Sequence, residues 1–183
     1  MKELSLNILD IAQNSITAKA SLIFINIVED ENILTITISD DGVGMSQEMV
    51  NNVTNPFTTS RTTRKVGLGI PLFKMASEQT GGEFSITSKS ISDFPDNHGT
   101  ITKASFNKKH IDYTPLGDII NTITTLIQGM GEINLVFTHS SQKFDVSLDT
   151  RMLRETLGND IPLSLPDVLV WITEFLKEKY NIS

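Results

Sequence analysis

The chain contains no cysteine. That excludes disulfides, thiolate metal sites, iron–sulfur ligation and cysteine nucleophiles, and it accords with a reducing compartment. No apolar run approaches the ~20 residues needed to span a bilayer. The amino terminus, MKELSLNILDIAQNS, is broken by Glu3, Asn7 and Asp10, a poor pattern for a signal peptide. Positive charge is scarce. Fifteen Lys and Arg against 22 Asp and Glu leave a net charge of −7, unlike the basic face that nucleic acid or an anionic membrane attracts. The expectation is a soluble, cytoplasmic protein with no nucleic-acid or membrane partner. There is no G-x-x-x-x-G-K-[ST], so no P-loop. GVGMSQ (42–47) and GLGIPL (67–72) each lack the third glycine of a dinucleotide fingerprint. Internal repeats and low-complexity tracts are absent as well.

What is present is periodic. The 183 residues suffice for one domain, or one domain and a small appendage. Residues 3–19 have helical spacing, with Leu4, Ile8, Ile11 and Ile16 on an apolar stripe and Asn7, Asp10, Asn14 and Thr17 on a polar one. SLIFINIV (21–28) reads as a strand, EDEN (29–32) as a turn, and ILTITIS (33–39) as a second strand with one buried face. A short helix is expected over 46–53, followed by a long Thr-, Arg- and Pro-rich loop of the kind that serves as a lid. A helix over 69–80 stopped by Gly81-Gly82 comes next, then strands at 83–88 and 100–106. A boundary falls near 107–114. Beyond it lie a helix (116–128), strands at 132–138 and 143–149, and helices at 150–157 and 166–179. The last opens on Pro166 and Asp167 and closes near Lys177 and Lys179, as a helix dipole favours. This order favours an α+β sandwich with a mostly antiparallel sheet over a parallel one. A hairpin from the C-terminal segment is expected to extend the main sheet. His98, His110 and His139 each read as surface loop residues.

Three short stretches carry chemistry. In SDDGVGM (39–45) the strand delivers Asp40 to its end, and Gly42 and Gly44 remove two side chains. A carboxylate beside such a slot can accept a hydrogen bond from an amino group on a flat base. A strand-ending turn in which Asp40 or Asp41 caps the next helix explains the same residues. VGLGIPL (66–72) places glycines just before a helix, where free N–H groups form an anion site, or simply a tight turn. On the first helix, the Asn14 amide oxygen can coordinate magnesium and Asp10 can orient water as a base, although a D-x-x-x-N pair also suits a solvated face.

Taken in order, these stretches resemble the GHKL superfamily of gyrase B subunits, a heat-shock chaperone, histidine-kinase catalytic domains and the MutL mismatch-repair ATPase. DIAQNSITAKAS (10–21) is similar to its N box, DDGVGM (40–45) to its D-x-G-x-G box, and NPFTTS (55–60) to the lead into an ATP lid. GLGIPLFKMASEQTGGEFSITS (67–88) resembles its glycine box, helix and strand, and HGTITKASF (98–106) its final G-T strand. The resemblance covers roughly residues 3–107. It implies a Bergerat-type two-layer α/β sandwich, with helices on one face of the sheet, over 1–109. Residues 110–183 form a C-terminal α/β extension of unknown role. It implies binding of ATP with Mg²⁺. Asp40 would take the adenine amino group, with Gly42, Gly44 and Met45 forming the base slot. Asn14 would hold Mg²⁺. Gly67, Leu68 and Gly69 would meet the phosphates through backbone N–H groups, and Thr100 would reach the adenine by its hydroxyl or a water. Asp10 would be the general base. Lid cations such as Arg61, Arg64 and Lys65 face the triphosphate charge.

The sequence departs from the family pattern in places. Asp10 stands where hydrolysing members carry Glu, one methylene and roughly 1.5 Å shorter. Thr17 stands where several members carry Asp, and Lys65-Val66 replaces the first glycine of a fuller glycine box. No histidine lies on the dimerising hairpin a histidine kinase requires, and 110–183 is short for a transducer domain. Two uses follow. One is a stand-alone ATPase or protein kinase. The other is a non-hydrolysing nucleotide sensor whose lid or extension engages a protein partner, a second copy of the chain included.

Overall fold

The computed structural model describes residues 3–55 and 68–182. The lid stretch expected between them, with Arg61, Arg64, Lys65 and Gly67, lies outside the described residues. In chain order the elements are α1 (Leu4–Thr17), β1 (Leu22–Glu29), β2 (Ile33–Asp40), α2 (Gln47–Val53), α3 (Gly69–Gln79), β3 (Phe84–Lys89) and β4 (Gly99–Asn107). Then follow α4 (Ile119–Gly129), β5 (Asn134–Ser140), β6 (Asp145–Asp149), α5 (Thr150–Leu157) and α6 (Pro166–Lys179). One sheet takes all the described strands, in the order β3-β4-β2-β1-β5-β6. Every neighbouring pair is antiparallel except β1 with β5. The α+β sandwich with a mixed, mostly antiparallel sheet expected from the sequence is the architecture found.

The alternation that made the strands legible also decides which face is covered. Ile23, Ile25 and Ile27 of β1 register with Ile38 and Ile36 of β2 and with Leu135, Phe137 and His139 of β5, and all are buried. Their neighbours in sequence point to the other face, where Phe24 and Ile101 are 41% and 50% exposed. The helices therefore lie on one side. Phe73 of α3 meets the rings of Phe106 and Phe84, centroids 5.4 and 6.5 Å away, and Leu4, Ile8 and Ile11 of α1 join the same core.

Local chemistry sets most ends. Ser46 caps α2, Asp118 caps α4 and Asp149 caps α5, each accepting a first-turn N–H. The Asp118 cap starts α4 at Ile119 rather than at 116. Helix α1 has no side-chain cap. Its first amides, on Leu4 and Ser5, donate instead to the carbonyls of Pro115 and Leu116 at 2.9 and 2.8 Å. The connector into α4 thus satisfies donors that would otherwise be orphaned.

His139 corrects the sequence reading. It is no loop residue: it sits inside β5, 2% exposed, because β6 begins only at Asp145 and the hairpin turn lies beyond Ser140. Its Nε2 lies 3.0 Å from Glu29 Oε1 and its Nδ1 lies 2.7 Å from the Tyr180 hydroxyl. A carboxylate can only accept, so Nε2 carries the proton and the tyrosine donates to Nδ1. Lys108 pairs with the other oxygen of Glu29. Burial pushes the imidazole below its ordinary pKa, Glu29 opposing and Lys108 assisting. The unfolded chain therefore takes up a proton that native His139 refuses. Its contribution to stability is complete above the unfolded value near 6.5 and is lost as pH falls below that toward the depressed folded value. Urea midpoints measured between about pH 5 and 7.5 are expected to drop on the acid side, with a slope of up to about 1.4 kcal/mol per pH unit. His139→Gln is expected to flatten that slope.

Candidate nucleotide site

Asp40 ends β2 on the helix-covered face, and the register places it beside Thr100 of β4 and Ile23 of β1. Its carboxylate is aimed by two donors. Ser15 of α1 donates to Oδ2 at 2.6 Å and the Gly42 N–H donates to Oδ1 at 2.9 Å. Ser15 is buried, so α1 fixes the acid from behind while leaving lone pairs toward the cavity. The neighbouring acid does something else. Asp41 accepts from the N–H groups of Ser21 and Leu22 at 2.7 and 2.9 Å and from the Ser21 hydroxyl. Partial burial works against its charge, but those hydrogen bonds hold its carboxyl below the usual range. Neither acid caps α2; Ser46 does. Of the two carboxylates, Asp40 lines the slot between α1 and the central strands, and Asp41 anchors the start of β1.

Asn14, Asp40, Gly44, Met45 and Thr100 line one cavity. Its walls are apolar, from Ile11, Ile38, Val43, Met49, Val53 and Ile70. The slot mixes these apolar walls with the polar side chains of Asn14, Ser15, Thr17, Asp40, Thr100 and Thr102. Among the described lining residues none is cationic.

The two glycines of the D-x-G-x-G run are needed for chain packing, a reason the sequence does not display. A Cβ on Gly42 would lie 2.9 Å from the Cβ and carbonyl of Ala18. Gly44 sits at φ +67, and its Cβ would fall 1.9 Å from the Lys89 carbonyl. The loop is threaded between the end of α1 and the exit of β3. The Val43 N–H donates to the Ala18 carbonyl at 2.9 Å and the Ile91 N–H donates to the Val43 carbonyl at 2.8 Å. His98 Nδ1 lies 2.6 Å from the Gly42 carbonyl and donates to it.

The start of α3 packs against α1. Gly69 opens α3 directly against Asp10, where a Cβ would come within 2.8 Å of the aspartate Cβ. Leu68 precedes it with no side-chain cap among the described residues, at a helix start of the kind that can receive an anion. Asp10 is outside the described cavity wall, next to this helix start. Partial burial raises its carboxyl above the ordinary value. The described residues contain no cluster of three His, Asp or Glu side chains able to hold a metal. A divalent ion here would depend on the Asn14 amide, ligand phosphates and water.

The structure thus brings Asn14, Asp40, Gly44, Met45 and Thr100 to one cavity, while Gly42 reaches Asp40 without lining it and Gly69, which packs on Asp10, precedes the lining residue Ile70. Sequence reasoning missed Ser15, Ser88 and His98. Ser15 had a signal, as a polar residue continuing the buried spacing Leu4, Ile8, Ile11. Ser88 had a weaker one, as a hydroxyl on the inward parity of Phe84 and Ile86. His98 had none.

The slot lies between the central strands and the first helix of a one-sided α+β sandwich. The family model for histidine kinase-, DNA gyrase B- and HSP90-like ATPases matches residues 1–110, and the chain belongs to that family. The ATPase domain of Aquifex aeolicus MutL, solved with ADP, is similar over 86% of this chain and 69% of its own, at 14% identity and a TM-score of 0.56. The N-terminal domain of a DNA repair protein is similar over 81% of this chain and 52% of its own, at 14% identity and a TM-score of 0.50. No curated protein matches the sequence significantly. Among the described residues, no helix is long and apolar enough to cross a membrane.

Gly44→Ala tests the threading of the loop. The left-handed backbone and the Lys89 carbonyl together are expected to cost about 2–5 kcal/mol. A thermal or urea melt should show the loss, and nucleotide binding should weaken in parallel.

Proposed function

We propose that the chain binds ATP with magnesium and hydrolyses it slowly, with Asp40 receiving the adenine amino group and Asp10 receiving the proton of the attacking water. The observation that carries this reading is the Asp40 carboxylate, aimed into an apolar slot by Ser15 and the Gly42 N–H. Gly42, Gly44 and Met45 shape the slot, and Thr100 stands beside the acid. The donor set fits the nucleotide. An acceptor awaits the amine, apolar walls await the ring, and the α3 start at Leu68 and Gly69 awaits the phosphates. Asn14 offers a neutral amide oxygen to Mg²⁺, which supplies charge neutralisation and Lewis acidity when bound. Gly67, next to that helix start in sequence, completes the phosphate contacts in this reading. Partial burial of Asp10 strengthens it as a base.

A second reading rests on a different observation. Helix α6 leaves Val170 and Trp171 62% and 52% exposed, with Trp171 stacked on Phe175 at 5.3 Å. In this reading the extension over 110–183 docks a protein partner, and nucleotide acts as a signal with little turnover.

Calorimetry with ADP and magnesium, together with steady-state phosphate release, tests both. Asp40→Asn is expected to weaken ADP binding about 10–100-fold, the range for a buried charge-assisted hydrogen bond. Asp10→Asn is expected to keep ADP binding and cut phosphate release about 100-fold or more. Binding without release in the wild-type chain selects the sensor. No binding of adenine nucleotides overturns both readings.

A further inference from the structure

Ser88 ends the inward-facing row of β3. It stands across from Thr100, which stands across from Asp40. Its one hydroxyl makes three contacts. The Met45 N–H donates to it at 2.8 Å, the Gly99 carbonyl lies 3.0 Å away, and Thr100 Oγ1 lies 2.8 Å away. A serine hydroxyl has one proton and two accepting positions. The Gly99 carbonyl can only accept, so the serine proton goes there. The Met45 N–H can only donate, so it fills one accepting position. The other is filled by the Thr100 hydroxyl, which must therefore donate to Ser88. The single proton of Thr100 is spent behind the cavity, and only lone pairs are left to face into it. Asp40 beside it is also an acceptor. This end of the slot is an acceptor-only edge.

We propose that Ser88 is a positioning residue that makes this edge select a purine with a 6-amino group over one with a 6-keto group. The proposal rests on the nucleotide-binding reading above. Adenine brings two N–H donors to two acceptors. A 6-keto purine brings an oxygen to the same place, facing the lone pairs of Asp40 and Thr100, and carries its proton one ring atom away, on N1. The mismatch leaves buried polar atoms unpaired, which a site built on hydrogen bonds rejects strongly. Removing the serine hydroxyl releases the Thr100 proton to turn into the slot and meet a keto oxygen. Ser88 touches no ligand in this scheme; it acts through Thr100.

The test is calorimetric titration of the full chain with ADP and with IDP in the presence of magnesium. Wild-type protein is expected to prefer ADP. Ser88→Ala is expected to shrink the ADP-over-IDP ratio about five- to tenfold, the worth of one hydrogen bond. Ser88→Thr, which keeps the hydroxyl, is expected to retain the wild-type ratio. In a Thr100→Val background, Ser88→Ala is expected to leave the ratio unchanged, because no threonine proton remains to redirect. A merely structural role for Ser88 would weaken both nucleotides alike and would not depend on Thr100. If circular dichroism shows that Ser88→Ala is unfolded, Ser88→Cys makes the same comparison with a poor donor of similar size. An unchanged ratio in the alanine or cysteine variant overturns the proposal alone, as does an equal shift in the Thr100→Val background. Failure of the wild-type chain to bind either nucleotide overturns the nucleotide-binding reading and the proposal together.

Discussion

One carboxylate organises this molecule. Asp40 faces an apolar slot with both carboxylate oxygens already engaged by the protein, one by Ser15 and one by the Gly42 N–H. Taking a carboxylate out of water is costly unless such hydrogen bonds accompany it. The support runs backward through the fold. Ser15 is placed by α1, and α1 begins where it does because the Pro115 and Leu116 carbonyls accept its first N–H groups. Thr122 of α4 donates to the Ser5 carbonyl at 3.2 Å, tying the same turn from the side. The segment after residue 110 therefore does more than append strands to an edge. It holds the helix that holds the serine that aims the acid.

Much of this was legible because the signals are local. Strand alternation from Ile33 to Ser39 and the helical spacing of Leu4, Ile8 and Ile11 depend only on which face is buried. Ser46, Pro166 and Asp167 mark helix starts by their own chemistry. The D-x-G-x-G run and the glycines before α3 are compact enough to read together, and the structure sets their neighbours around one cavity and its mouth. What escaped was long-range. The parallel pairing of β5 with β1 joins residues more than a hundred positions apart, and no periodicity announces it. His139 looked like a loop residue because its partners, Glu29 and Tyr180, are distant in sequence and its polar side chain interrupts an otherwise apolar inward row. The glycines were read as space for a ligand, yet their missing side chains clear Ala18 and the Lys89 carbonyl. Asp40 was singled out from the sequence, but the different partners of the two acids, Ser15 for Asp40 and Ser21 for Asp41, appear only in the fold.

The two ends of the central strands are polarised differently, and the contrast explains where a ligand can go. At the far end, Glu29 is enclosed by His139 and Lys108, so its charge is answered within the protein. At the near end, Asp40 is answered by neutral donors only, and Asp10 sits partly buried with no cation beside it among the described residues that line the cavity. A triphosphate entering there adds negative charge to a protein already at −7. The α3 start contributes only about half a unit of positive charge, too little to balance several phosphate oxygens in a partly dry site. The Asn14 amide contributes a dipole and no charge. In the proposed reading a divalent cation arriving with the nucleotide would offset the remaining charge left by the described residues. In that reading Asn14 would offer the cation one neutral ligand, with phosphates and water supplying the rest.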